Sequence, residues 1–140
     1  MRFLTADYLF PLYIAPIKQG VLQISDNKEV IAVFENRSEV PQEKLEVFEG
    51  ILCPGFVNAH CHLELSHMKG MIPAHTGLQE FVKQIVALRE VAPETIQEAI
   101  VLAEAEMMAN GIVAVGDISN TLDTLKQKAK HNLAYFQSLC

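Results

Sequence analysis

The stretch "ILCPGFVNAHCHLEL", residues 51–65, decides how this chain is read. It is an apolar, strand-like run that gathers ionisable groups only toward its end, at His60, Cys61, His62 and Glu64. Strand side chains alternate between faces, so His60 and His62 share one face and Cys61 takes the other. Two imidazoles so placed can meet one divalent metal through bonds of about 2 Å. Cys61 cannot easily join them from the same strand and reads as a small buried hydrophobe. Glu64 shares the histidine face, where it could contact a substrate or orient a ligand; the alternative is a structural carboxylate bonded to a loop N–H. His-x-His alone is a weak signal, since polar residues at a strand end are often satisfied by hydrogen bonds. Its place at the end of an apolar strand strengthens it, because sites on parallel α/β sheets lie at the C-terminal ends of strands.

Downstream, "SHMKGMIPAHTG" reads as a long connection carrying His67 and His75, both expected to line a site or face solvent without binding metal. Thr76 and Gln79 fit a capping box, and Leu78, Phe81, Val82, Ile85, Val86 and Leu88 then recur at helical spacing. Pro93 suits the first turn of a second helix. Ile96, Ile100, Ala103 and Met107 line one face of it, Met107-Met108 is expected in the core, and Asn110-Gly111 ends it. "IVAVGDI" reads as a buried strand. Asn120 is expected to cap a helix running to about His131, and "LAYFQSL" reads as a third strand. Strand, helices, strand, helix, strand is the alternation of a parallel sheet. Asp117 falls at a strand end on the same rim, placed either to orient a ligand histidine or to cap a loop.

Upstream, residues 1–50 read as β structure. "GVLQIS", the turn pair Asp26-Asn27 and "EVIAVFE" form a hairpin pattern, and "NRSEVPQEKLEVFEG" reads as a loop with a short strand near residues 45–48. The 140 residues are half hydrophobic and one-fifth charged, enough to build a packed core rather than a disordered chain. Seventeen acidic against eleven basic residues, net −6 and without a basic run, argue against a nucleic-acid or anionic-membrane surface. Cys53, Cys61 and Cys140 form no CxxC pair and no disulfide framework, which fits a reducing, cytoplasmic setting. Asp7, Pro11 and Pro16 interrupt the N-terminal apolar stretch, so a signal peptide is not expected. No run approaches the length of a membrane span.

"GILCPGFVNAHCHLE" resembles the start of the first barrel strand in the amidohydrolase superfamily. "ANGIVAVGDISN" resembles the second strand of its cytosine-deaminase- and chlorohydrolase-like branch. The resemblance implies a (β/α)8 TIM-type barrel beginning within 51–140, preceded at 1–50 by part of a small β-sandwich domain. It implies one divalent metal, Zn²⁺ foremost and Fe²⁺ as the alternative, with His60 and His62 as its first two ligands. It further implies hydrolysis by a metal-activated water. "HCHLELSH" followed by "LQEFVKQIVALRE" resembles deaminases of 6-aminopurine nucleosides, and aminofutalosine deaminases in particular. Glu64, Ser66, Arg89 and Glu90 match that pattern, which makes Glu64, Arg89 and Glu90 substrate-binding candidates. Arg89 could pair a substrate carboxylate and Glu90 a ribose hydroxyl; the alternative for both is a solvated helix end.

The chain departs from the family in extent. A barrel takes roughly 250 residues, and only three barrel strands are expected here. His131 falls at an expected helix end, and neither the later ligands nor the proton-handling residues of the family have a counterpart, so no catalytic residue is assigned. The expected identity is the N-terminal part of a metal-dependent aminohydrolase, inactive alone. Its remaining strands would come from the full-length chain or a partner chain, and self-association is a further expectation. The alternatives are an amidohydrolase acting on another C–N bond, of the chlorohydrolase, guanine- or cytosine-deaminase kind, and a non-catalytic remnant that binds metal or a partner.

Overall fold

The computed structural model describes residues 1–139, and Cys140 lies outside the described residues. The chain divides into two compact units, Met1–Pro54 and Gly55–Cys140.

The first unit is β-rich. Its larger sheet contains β1 (Arg2–Thr5), β4 (Val21–Ile24), β5 (Val30–Phe34) and β6 (Leu45–Val47), in the order β5-β4-β1-β6. Its smaller sheet contains β2 (Tyr8–Leu9), β3 (Ile17–Lys18) and β7 (Ile51–Leu52), in the order β3-β2-β7. The expected hairpin is β4-β5, paired antiparallel from Val21↔Phe34. Lys28, rather than Asp26 or Asn27, takes the positive φ of its turn. Thr5, Ala6, Leu9, Val21 and Val40 are buried. The Thr5 hydroxyl is not left unsatisfied there, since it donates to the Gly20 carbonyl at 2.8 Å and accepts from Arg37 Nε at 3.2 Å. Two short 3₁₀ turns, Arg37–Glu39 and Gln42–Lys44, occupy what reads in the sequence as plain loop.

The apolar run at 51–65 is two strands. Ile51–Leu52 pairs with β2 in the smaller sheet of the first unit, and a new strand, β8 (Phe56–Cys61), begins after Pro54-Gly55. Proline supplies no ladder N–H, so the run breaks there.

In the second unit β8 is followed by a 3₁₀ turn at Leu63–Met68, then α1 (Leu78–Leu88), α2 (Pro93–Ala109), β9 (Ile112–Ser119), α3 (Leu125–Lys128) and β10 (Ala134–Leu139). The sheet order is β10-β9-β8, with both pairings parallel. This is the expected strand and helix alternation, a mixed α/β arrangement. Proline at the first position of α2 pre-sets its helical φ. Ile100 of α2 is fully buried, and with Leu63, Met68, Val115 and Leu133 it makes up the unit's buried apolar side chains. Each such side chain contributes about 2 kcal/mol by burial.

Several local expectations fail for identifiable reasons. Thr76 does not cap α1; Gly77 does, at φ +78°, a backbone state open to glycine, and the Thr76 hydroxyl turns to the Pro73 carbonyl at 3.4 Å. The apolar stripe of α1 is amphipathic but not buried, with Leu78, Phe81, Val82 and Val86 all exposed. The helix expected from Asn120 to His131 contracts to four residues capped at Thr124, while the Asn120 amide bonds to Glu64, as described below. Met107 is half-buried and receives the Asn58 side-chain amide at 3.7 Å, but Met108 is 46% exposed and is not core.

One buried acid on α2 was not anticipated. Glu104 is 1% exposed. It accepts from Tyr135 Oη at 2.8 Å, from Asn132 Nδ2 at 3.1 Å, and from the Gln127 amide. Burial pushes its carboxyl up, but the bonds from Asn132, Gln127 and Tyr135, with the charge of Lys130, outweigh that and hold it below its ordinary value. Burial and the bond to Glu104 push the Tyr135 phenol up. Glu104→Ala should cost about 2 kcal/mol in a urea titration at neutral pH, since it strands the buried Gln127 amide and the half-buried Tyr135 hydroxyl. A carboxyl lowered by folding stabilises fully above its unfolded value of 4.5 and loses that contribution as pH falls through its folded value. The gap between wild type and variant should therefore shrink in acid.

Candidate metal centre

β8 delivers the histidines, but not as a regular strand. Asn58 pairs with Val115 and Cys61 with Asp117, so three steps along β8 match two along β9. The extra residue is a bulge at the strand end, a device that re-aims side chains beside sites. Asn58 bonds to α2 through Met107, and Cys61 sits at the level of Asp117. His60 and His62 lie with ring centroids 5.2 Å apart, edge to face at 73°. His62 leaves strand geometry at φ −122°, ψ 75° and opens the 3₁₀ turn.

Asp117 fixes the chain just past His62. It is fully buried, and its Oδ1 accepts the Leu63 amide at 2.8 Å. Its Oδ2 accepts Ser119 Oγ at 2.9 Å and faces Lys128 Nζ at 2.5 Å. Of the two roles open to Asp117 in the sequence, the observed bond is to the turn backbone. Cys61 is half-buried, and burial, then the Asp117 charge, push its thiol up to about 11 against the opposing effect of Lys128.

Glu64 is buried, and its carboxylate serves the loop after β9. It accepts the Asn120 and Thr121 amides at 2.8 Å each and Thr121 Oγ1 at 3.0 Å. That is the structural arrangement weighed against substrate contact in the sequence. Arg89 caps the C-terminus of α1, half-buried, and Glu90 is exposed. His67 belongs to the 3₁₀ turn rather than to a loop, and its Nε2 lies 3.1 Å from the Arg89 carbonyl. His75 is exposed at φ +65°. His131 is also exposed, at the start of the connection into β10.

The Nδ1 atoms of His62 and His67 are buried without a hydrogen-bond partner among the described residues. An unpaired buried ring nitrogen on His62, beside a second imidazole, fits two positions of a nitrogen-ligated metal shell. No group of three or more His, Cys, Asp or Glu is placed to hold a metal among the described residues. Two features of this site are not anticipated from sequence. Lys128 gave no local signal. Gly116 did, since an isolated glycine within "IVAVGDI" marks a close backbone approach. A Cβ there would stand 2.7 Å from the Ala59 carbonyl oxygen.

The sequence profile of the amidohydrolase family matches residues 51–139. A 5-methylthioadenosine/S-adenosylhomocysteine deaminase of Natronomonas pharaonis is 32% identical over 101 residues, which is 70% of this chain and 22% of that protein. In fold, the chain is similar to Helicobacter pylori aminofutalosine deaminase, solved with methylthio-coformycin. The TM-score is 0.78 at 22% identity, covering 99% of this chain and 35% of that one. It is also similar to an atrazine chlorohydrolase of Arthrobacter aurescens, solved with zinc. There the TM-score is 0.69 at 16% identity, covering 99% of this chain and 35% of that one. The chain thus spans about a fifth of the curated relative and about a third of these solved chains. No described helix is long and apolar enough to cross a membrane.

Glu64→Ala should speed hydrogen exchange at the Asn120 and Thr121 amides and lower stability by about 2 kcal/mol. Exchange rates at those two amides, followed by NMR, check this directly. Unchanged rates would remove Glu64 as the anchor of the loop.

Proposed function

This chain belongs to the amidohydrolase family, and from that premise we propose that it is the N-terminal part of a metal-dependent aminohydrolase. The proposed reaction is deamination of a 6-aminopurine nucleoside. The observation that carries this is the His60–His62 pair at the end of β8, rings 5.2 Å apart, with a buried, unpartnered Nδ1 on His62. The sequence likeness to a methylthioadenosine/S-adenosylhomocysteine deaminase and the fold likeness to an aminofutalosine deaminase support an adenine nucleoside as substrate. The fold likeness to a zinc-containing chlorohydrolase supports Zn²⁺, and a site of this ligand type also accepts Fe²⁺.

In the net reaction the C6–N bond of the purine breaks, a C6–O bond forms with oxygen from water, and ammonia leaves. A divalent metal bound here supplies the acidification of water at neutral pH. His60 and His62 provide two of its ligands. Arg89 is proposed to pair a substrate carboxylate and Glu90 a ribose hydroxyl. Glu64 acts on the substrate side by setting the 120–121 loop. The other ligands and the proton-handling groups are proposed to lie on strands carried outside these 140 residues, in a (β/α)8 barrel whose first three strands are β8, β9 and β10. The proposed setting is cytoplasmic, with a small-molecule substrate and neither nucleic acid nor membrane as partner. The chlorohydrolase likeness keeps open a second reading, hydrolysis at another carbon of a nitrogen heterocycle.

Ammonia release by the full-length protein from a panel of 6-aminopurine nucleosides tests the proposal. Activity should disappear on chelation and return with Zn²⁺. His60→Ala should lose about a hundredfold or more in kcat/KM. Full activity in that variant would sink the ligand assignment. The reading frame beyond Cys140 should carry the remaining metal ligands.

A further inference from the structure

We infer that Gly116 and Asp117, adjacent on β9, are positioning residues that hold the two flanks of the His60–His62 pair, an inference that rests on the metal-binding proposal above. The flank before His60 is held by close packing. The bulge between Asn58 and Cys61 brings the Ala59 peptide onto β9 at the one position without a side chain. A Cβ on Gly116 would stand 2.7 Å from the Ala59 oxygen and 3.2 Å from its carbonyl carbon. Both are backbone atoms of the peptide that joins Ala59 to His60. A methyl group there cannot be met by a rotamer change; that peptide must move and carry His60 with it.

The flank after His62 is held by a hydrogen bond. The Leu63 amide, in the peptide that follows His62, donates to Asp117 Oδ1 at 2.8 Å. Asp117 is itself immobilised by Ser119 Oγ and Lys128 Nζ on its other oxygen. His60 and His62 therefore sit on a short arch whose two feet rest on neighbouring residues of the middle strand. One foot is steric and the other polar. Together they leave the rings of the two histidines edge to face while the chain departs from strand geometry at His62.

Two readouts test this on the full-length protein. The first is the ring-to-ring nuclear Overhauser contact between His60 and His62 in metal-free protein. The second is Zn²⁺ affinity from histidine ring shifts. The variants are Gly116→Ala and, in a Lys128→Met background that removes the buried ammonium, Asp117→Ala and Asp117→Asn. Both double variants lose the ion pair, but only the asparagine keeps an oxygen for the Leu63 amide, so a merely structural role would move them equally. The expected result is loss of the ring contact and about 10- to 100-fold weaker zinc binding in Gly116→Ala and Lys128→Met/Asp117→Ala, with both retained in Lys128→Met/Asp117→Asn. Equal behaviour of the two double variants overturns the inference, as does an undisturbed ring contact in Gly116→Ala. Should Gly116→Ala fail to fold, the double variants decide the matter. Should zinc leave the wild-type rings unshifted while the ring contact responds as expected, the metal proposal falls and the positioning role stands.

Discussion

Fifty-four residues separate Asp117 from Leu63 in sequence, and a single 2.8 Å hydrogen bond between them governs the geometry of the histidine pair. The carboxylate sits with no solvent exposure, faces Lys128, and uses both oxygens. A buried ion pair of this kind adds little net stability, because desolvating two charges offsets most of their attraction. Breaking it is another matter, since a lone buried charge costs roughly 3–5 kcal/mol. The asymmetry gives the pair its value as a constraint: the turn after β8 has one low-energy position, and the strand end is locked to it.

Two further buried carboxylates extend the same logic. Glu64, on the turn that Asp117 holds, gathers the Asn120 and Thr121 amides and so fixes the loop leaving β9. Glu104, on α2, gathers Gln127, Asn132 and Tyr135 and so fixes the connection into β10. Each acid joins segments that are distant in the chain, and each has its oxygens satisfied, without which burial would be prohibitive. The C-terminal rim of this small parallel sheet is thus ordered by three carboxylates more than by its modest apolar core. Among the described residues, β8 and β10 each pair on one side only. Phe136, on β10, is 72% exposed, and the apolar stripe of α1 is open. Such edges and faces favour association with further strands.

Much of the site was legible in the sequence because its signals are local. His60 and His62 announce themselves by spacing and by their place at the end of an apolar run. The alternation of strands and helices from Phe56 onward follows from hydrophobic periodicity, which reports on the nearest turn or pleat. The mistakes fall where a local rule competes with a distant partner. Thr76 and Asn120 both carry capping side chains, yet Gly77 takes the cap in one case, and in the other the helix starts only after Thr124 while the chain at Asn120 is tied to Glu64. Met108 and the stripe of α1 are apolar and helical, but periodicity does not say whether anything covers a face.

By itself, then, the sequence determined the order of the elements, the pairing of two imidazoles on one face, and the likeness to amidohydrolases that comparison with known proteins bears out. Those properties depend on residues within a few positions of one another. Only the tertiary structure decided that the strand bulges before Cys61, that Gly116 must lack a side chain to admit the Ala59 carbonyl, and that Asp117 with Lys128 holds the far end of the pair. Those depend on β9 and α3 meeting β8 in space. Such long-range contacts leave no periodic trace along the chain, because the groups that make them are isolated polar or small residues, chosen by neighbours that the fold alone supplies.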